Sequence, residues 1–127
     1  MDIYEAVKVF LIQFCPDVDH VMFPFKMEQM RYEGVIPGIT FEFVDISKSV
    51  THSGSSEIMK IKLDINLWGN LEDIVPMRDG ISAALNGKRI NLSGFEFTVV
   101  EKLVQDIFEP NVTFRRILMR YEGVVIG

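Results

Sequence analysis

The chain is poor in the residues that do chemistry. Its 127 residues include one cysteine, Cys15, and two histidines, His20 and His52. A lone thiol excludes an internal disulfide. Cys15 precedes His20 with Asp17 and Asp19 between them, a spacing that matches no zinc pattern, so a packed, unreactive thiol is expected. Gly34, Gly38 and Gly54 stand alone, which leaves no glycine-rich phosphate loop, and no GxSxG elbow occurs. No nucleophile, base or metal set emerges, so catalysis and bound cofactors or metals are not expected. No apolar run approaches membrane-spanning length. The run Val9–Phe14 is short, with Asp2 and Glu5 upstream and no basic region, and so does not read as a signal peptide. Thirteen Lys and Arg against eighteen Asp and Glu give a net charge of −5. That argues against a general nucleic-acid binder, which needs basic excess to displace counterions, but leaves room for a local basic patch. A soluble intracellular protein without a membrane partner is expected.

Apolar residues are plentiful. They make up 48% of the chain, with ten Phe and seven Met. For one domain over residues 1–127, this is more apolar surface than a small core hides, and subunit contacts are its natural sink.

The clearest local signal is Glu57–Gly69, EIMKIKLDINLWG. Met59, Ile61, Leu63, Ile65 and Leu67 alternate with Lys60, Lys62, Asp64, Asn66 and Trp68, which predicts one long strand with an apolar and a polar face. Ile39–Ile46, ITFEFVDI, is a second strand. Between them, Ser47–Ser56 is small, polar and glycine-containing, and reads as a mobile loop. Asp2–Phe14 predicts a helix with a seam of Tyr4, Val7, Leu11 and Phe14. It serves either as a core helix under a sheet or as one that also meets a neighbouring subunit. Pro16 stops it, and Asp17–Gly38 is irregular. Leu71–Asn86 is the second helix, capped by Asn70 and stopped by Asn86-Gly87. Its buried stripe is Ile74, Met77, Ile81, Ala84 and Leu85. Pro76 and Gly80 interrupt it and predict a kink or a later start. Ile90–Leu92 is a short strand candidate, and Phe95–Val100 and Thr113–Val125 are strands. Glu101–Glu109 is open between a helical turn and a strand continuation.

The expected fold is α+β: an antiparallel or mixed sheet of about four strands with two helices packed on one face. Two exposed features remain. Lys60 and Lys62 alternate on the long strand, and Arg115, Arg116 and Arg120 put positive charge on the last one. They are either ordinary surface charge with cross-strand pairing, or a patch that meets an acidic partner or lines a DNA channel. Trp68 is either an interface anchor or a core residue.

The order of these segments resembles the tail-terminator or tail-completion proteins of long-tailed bacteriophages. The residues that carry the resemblance are ITFEFVDISKSVTHSGSSEIMKIKLDINLWG, then NLEDIVPMRDGISAALNG, then the ending FRRILMRYEGVV. It covers nearly the whole chain and includes no catalytic motif. It implies an α+β subunit of a homohexameric ring that ends the tail tube and joins it to the head connector or head-completion protein. DNA would pass through the lumen without sequence-specific binding. The implied location is the head-tail interface of the virion, with assembly in the host cytoplasm. The alternatives are a head-completion or neck adaptor protein of the same phages, or a small intracellular ligand-binding module. Position and exposure nominate the assembly contacts: Ser47, Lys48, Ser49, Val50, Thr51, His52, Ser53, Gly54, Lys60, Lys62, Asp64, Trp68, Arg115, Arg116 and Arg120.

Overall fold

The computed structural model describes residues 2–15, 21–22, 37–50, 57–107 and 115–127, with only the backbone at 22, 49, 50 and 57. Pro16, His20, most of the irregular segment, residues 51–56 and residues 108–114 lie outside these residues.

Among the described residues, two helices and six strands follow in the order α1 (Ile3–Ile12), β1 (Val21–Met22), β2 (Gly38–Val50), β3 (Glu57–Gly69), α2 (Leu71–Leu85), β4 (Arg89–Leu92), β5 (Phe95–Ile107) and β6 (Arg115–Ile126). The strands form one sheet in the order β1-β2-β3-β6-β5-β4. The β1–β2 pair is parallel and every other pair antiparallel. The expected α+β class holds: four long strands carry the sheet, and two short ones flank it.

The odd positions of β3 are the centre of the core. Register sets Leu63 opposite Tyr121 and Phe43, and Ile65 opposite Met119 and Phe41. The face they define buries Met59, Ile61, Leu63, Ile65, Leu67, Met119, Tyr121 and Val125 with both helices. Burying each such side chain contributes about 1.5–3 kcal/mol.

α1 starts where Asp2 accepts a hydrogen bond from the Glu5 N–H at 2.8 Å. This cap satisfies one of the helix's orphan donors. Its buried face is Ile3, Ala6, Val7, Phe10 and Leu11, rotated from the expected seam. Tyr4 lies at the rim, edge-on to Phe43 with ring centroids 5.1 Å apart.

α2 runs without the predicted late start. Ile74, Met77, Ile81 and Leu85 are buried, and that stripe holds the helix through Pro76, which sits on the exposed side. Asn70 occupies the N-cap position, but its side chain makes no capping bond. Gly80 has a packing reason: a Cβ there would stand 3.0 Å from the Phe14 ring. The interruption is where α1's end meets α2.

Two boundaries move. β2 continues to Val50, so Ser47, Lys48, Ser49 and Val50 are strand residues paired with Lys60, Met59, Ile58 and Glu57. Ladder bonds to a strongly apolar strand outweigh the low strand propensity of SKSV. β5 continues to Ile107 along β6, which settles the open segment as strand. The β4–β5 hairpin closes through Ser93-Gly94, both with positive φ (52° and 92°), the two-residue turn that matches strand twist.

Candidate assembly surface

The two helices cover one face of the sheet; the other carries the even positions of β3. Antiparallel pairing sets Lys62 opposite Glu122, Asp64 opposite Arg120, Asn66 opposite Leu118, and Trp68 opposite Arg116. Each pair is a cross-strand neighbour close enough to interact.

These residues form a connected polar ladder. Arg120 donates from Nε and Nη2 to both carboxylate oxygens of Asp64, at 2.7 and 2.8 Å. This fork-on-fork geometry is the strongest form of the pair. The bonds and charge of Asp64 raise the Arg120 pKa above its ordinary value, with Glu122 and Glu42 adding to the effect. Arg116 donates from Nε to Asn66 Oδ1 at 2.8 Å. Its guanidinium lies 5.2 Å from the centre of the Trp68 ring, within cation–π range. Trp68 Nε1 in turn donates to Thr40 Oγ1 at 3.0 Å. Lys62 and Glu122 make a looser, more exposed pair at 3.5 Å.

The even positions therefore split. Lys60 and Lys62 are exposed as expected, with Ser47 beside Lys60 and Lys48 also exposed. Asp64 and Trp68 are buried within the subunit, at 6% and 1% exposure, together with Thr40 and Asn66. Their exposure on a polar face, on which their nomination rested, is corrected. Trp68 takes the core position, because its ring is large and apolar while its one N–H finds Thr40. Thr51, His52, Ser53 and Gly54 lie outside the described residues. Arg116 and Arg120 join the ladder. Arg115 sits on the opposite face and binds Asp106 of β5 at 2.8 Å.

The charge reading changes as well. Arg120 and Lys62 are matched by Asp64 and Glu122 within the same subunit, so this stretch of the face is close to neutral. Glu122 is the cross-strand partner of Lys62, a pairing that alternation along β3 alone does not reveal. Nor does alternation reveal Asn66 and Thr40 as the acceptors that hold Arg116 and Trp68.

On the helix-covered side, Tyr121 is buried and donates to Glu101 Oε1 at 2.8 Å. Burial, then the Glu101 bond and charge, push its pKa well above the ordinary phenol value. This is a satisfied core group. The Cys15 thiol is buried and donates weakly to the Pro37 carbonyl at 3.8 Å. Among the described residues, no group of three or more His, Cys, Asp or Glu is placed to hold a metal ion. A cleft of about 420 Å³ between Asp2, Tyr4, Ile46, Lys48, Met59 and Phe95 has no converging set of reactive groups. No described helix is long and apolar enough to cross a membrane.

No family model matches the chain, and no curated protein matches it. Among solved structures, a chain of the virion of a native gene transfer agent particle shares the fold. The match has a TM-score of 0.54 at 12% identity, and covers 98% of this chain and 91% of that one. At that identity the likeness establishes the fold.

Proposed function

We propose that this chain is a structural protein of a phage-like virion, that it ends the tail tube, and that it joins the tail to the head connector as a ring, homohexameric by the resemblance of its sequence. The carrying observation is the full-length likeness to a chain of a virion particle. The nearly end-to-end coverage of both chains supports a whole part of the same kind rather than a shared motif. The described residues favour a non-enzymatic role: in the β3–β6 ladder Lys62 pairs with Glu122 and Arg120 with Asp64, and Arg116 is held by the Asn66 amide, so these groups serve the fold. Its partners on this reading are further copies of itself, the tail tube protein and the head connector or head-completion protein. Its place is the head-tail interface, reached from the host cytoplasm.

Electron microscopy of particles made without this chain tests the proposal. Tails of uncontrolled length, or finished tails not joined to heads, are expected. Tails of normal length beside heads that leak DNA would assign the chain to head completion. Normal, complete particles would remove it from the virion altogether.

A further inference from the structure

Among the described residues, the sheet has two unpaired edge stretches, at opposite ends of opposite sides. On one side, β4 pairs with β5 only over Phe95–Thr98. The segment before β4 adds the Gly87 N–H to the Val99 carbonyl and the Asn86 side chain to the Glu101 N–H. From Lys102 to Ile107, β5 has no outer partner among the described residues, and Leu103 and Val104 are 37% and 40% exposed. On the other side, β1 pairs with β2 only at Ile39 and Thr40. From Glu42 to Lys48, β2 has no outer partner among the described residues, and Val44 is 51% exposed. Long exposed edges with apolar side chains are templates for pairing with another chain.

The stagger between the two edges carries geometric information. Through the ladder, Gln105 lies level with Leu118 and Asn66, and Asp45 lies level with Lys62. The centres of the free edges are thus offset by four residues along β3, or about 13 Å at ~3.3 Å per residue. Four strands, β2, β3, β6 and β5, separate one β2 from the next, or about 19 Å at ~4.8 Å per strand. A 13 Å rise over 19 Å is a tilt of roughly 35°, within the range at which sheets close into barrels. Rotation about a ring axis preserves strand direction. Because β2 and β5 run in opposite directions within the subunit, β5 of one copy then meets β2 of the next antiparallel.

We infer that copies of this chain join edge to edge, the Lys102–Ile107 edge of β5 adding to the Glu42–Lys48 edge of β2 in the next copy. The contact is head-to-tail, so it builds a ring where the rotation between copies closes, rather than a two-fold dimer. It rests on the ring of the proposed function and names the surface that forms it.

The test places one cysteine on each edge in a Cys15→Ala background: Asp45→Cys, Gln105→Cys, and both together. Each variant is treated with a short bismaleimide, both as concentrated purified chain and in particles from the producing host. A ladder of covalent oligomers from the double variant only, in either sample, is expected. Adding Leu103→Lys and Val104→Lys should cut the ladder more than tenfold with the circular dichroism spectrum unchanged. A covalent dimer from Gln105→Cys alone would overturn the inference in favour of a symmetric β5–β5 contact. Uncrosslinked double variant in both samples would also overturn it. The particle sample separates the two proposals: chain present in particles with no ladder in either sample defeats the edge contact alone, whereas chain absent from particles defeats the virion role, and the purified sample still decides the edge.

Discussion

β3 and β5 are both thirteen residues long, yet the sheet treats them oppositely. β3 lies between β2 and β6 and is buried on both faces from Leu63 to Gly69. β5 is buried only at Phe97 and Val99, and it is exposed on both faces from Lys102 to Asp106. Leu103 and Val104 are as apolar as Leu63 and Ile65. Position in the ladder decides their fate, and intrinsic propensity does not. One strand holds the fold together, and the other carries apolar side chains out to the edge.

Substitutions can break this contrast. The largest loss is expected at Gly123 of β6, the strand that β3 and β5 share as neighbour. A Cβ there would stand 2.1 Å from the Thr98 carbonyl oxygen and 2.6 Å from Val99 Cα. Backbone cannot yield as a side-chain tip does, so Gly123→Ala should cost about 3 kcal/mol or more by urea denaturation. Next, Leu63→Ala should cost about 2–5 kcal/mol, whereas Leu103→Ala should stay within about 0.5 kcal/mol. Equal losses at the two leucines would end the comparison. Asp64→Asn should lower the thermal midpoint less than Leu63→Ala but more than Lys62→Ala, because only Asp64 is both buried and doubly bonded.

Tyr121 gives a modest effect near neutral pH, about one hydrogen bond's worth, and a distinct signature at alkaline pH. Its folded pKa is raised, so the native state keeps the proton that the unfolded phenol loses near pH ~10. The unfolded state binds fewer protons above that pH, and stability falls as pH rises. Tyr121→Phe should flatten this alkaline decline, measured as denaturation midpoint against pH from 8 to about 11. An unchanged slope would show that Tyr121 is not the group responsible.

The contrast also marks what could be read from the residues. Strict alternation in β3 fixed its strand character and the core face correctly, because a two-residue period leaves only one arrangement. The same alternation misled at its end. Polar Asp64 and Asn66 and the aromatic Trp68 look like a solvent face, but cross-strand partners from Thr40, Arg116 and Arg120, distant in sequence, satisfy them. No local pattern announces partners 28 to 56 residues away. SKSV looked like loop because its strand pairing comes from β3, not from its own side chains. The end of β5 was ambiguous because an edge strand has no buried face to impose a period.

The proposed role puts this chain in a phage-like virion, at the head end of the tail. Electron microscopy of purified particles with gold-labelled antibody against the chain measures that directly. Label at one place, the junction of head and tail, is expected. Particles that carry no label, while the chain is abundant in the producing cells, would contradict it.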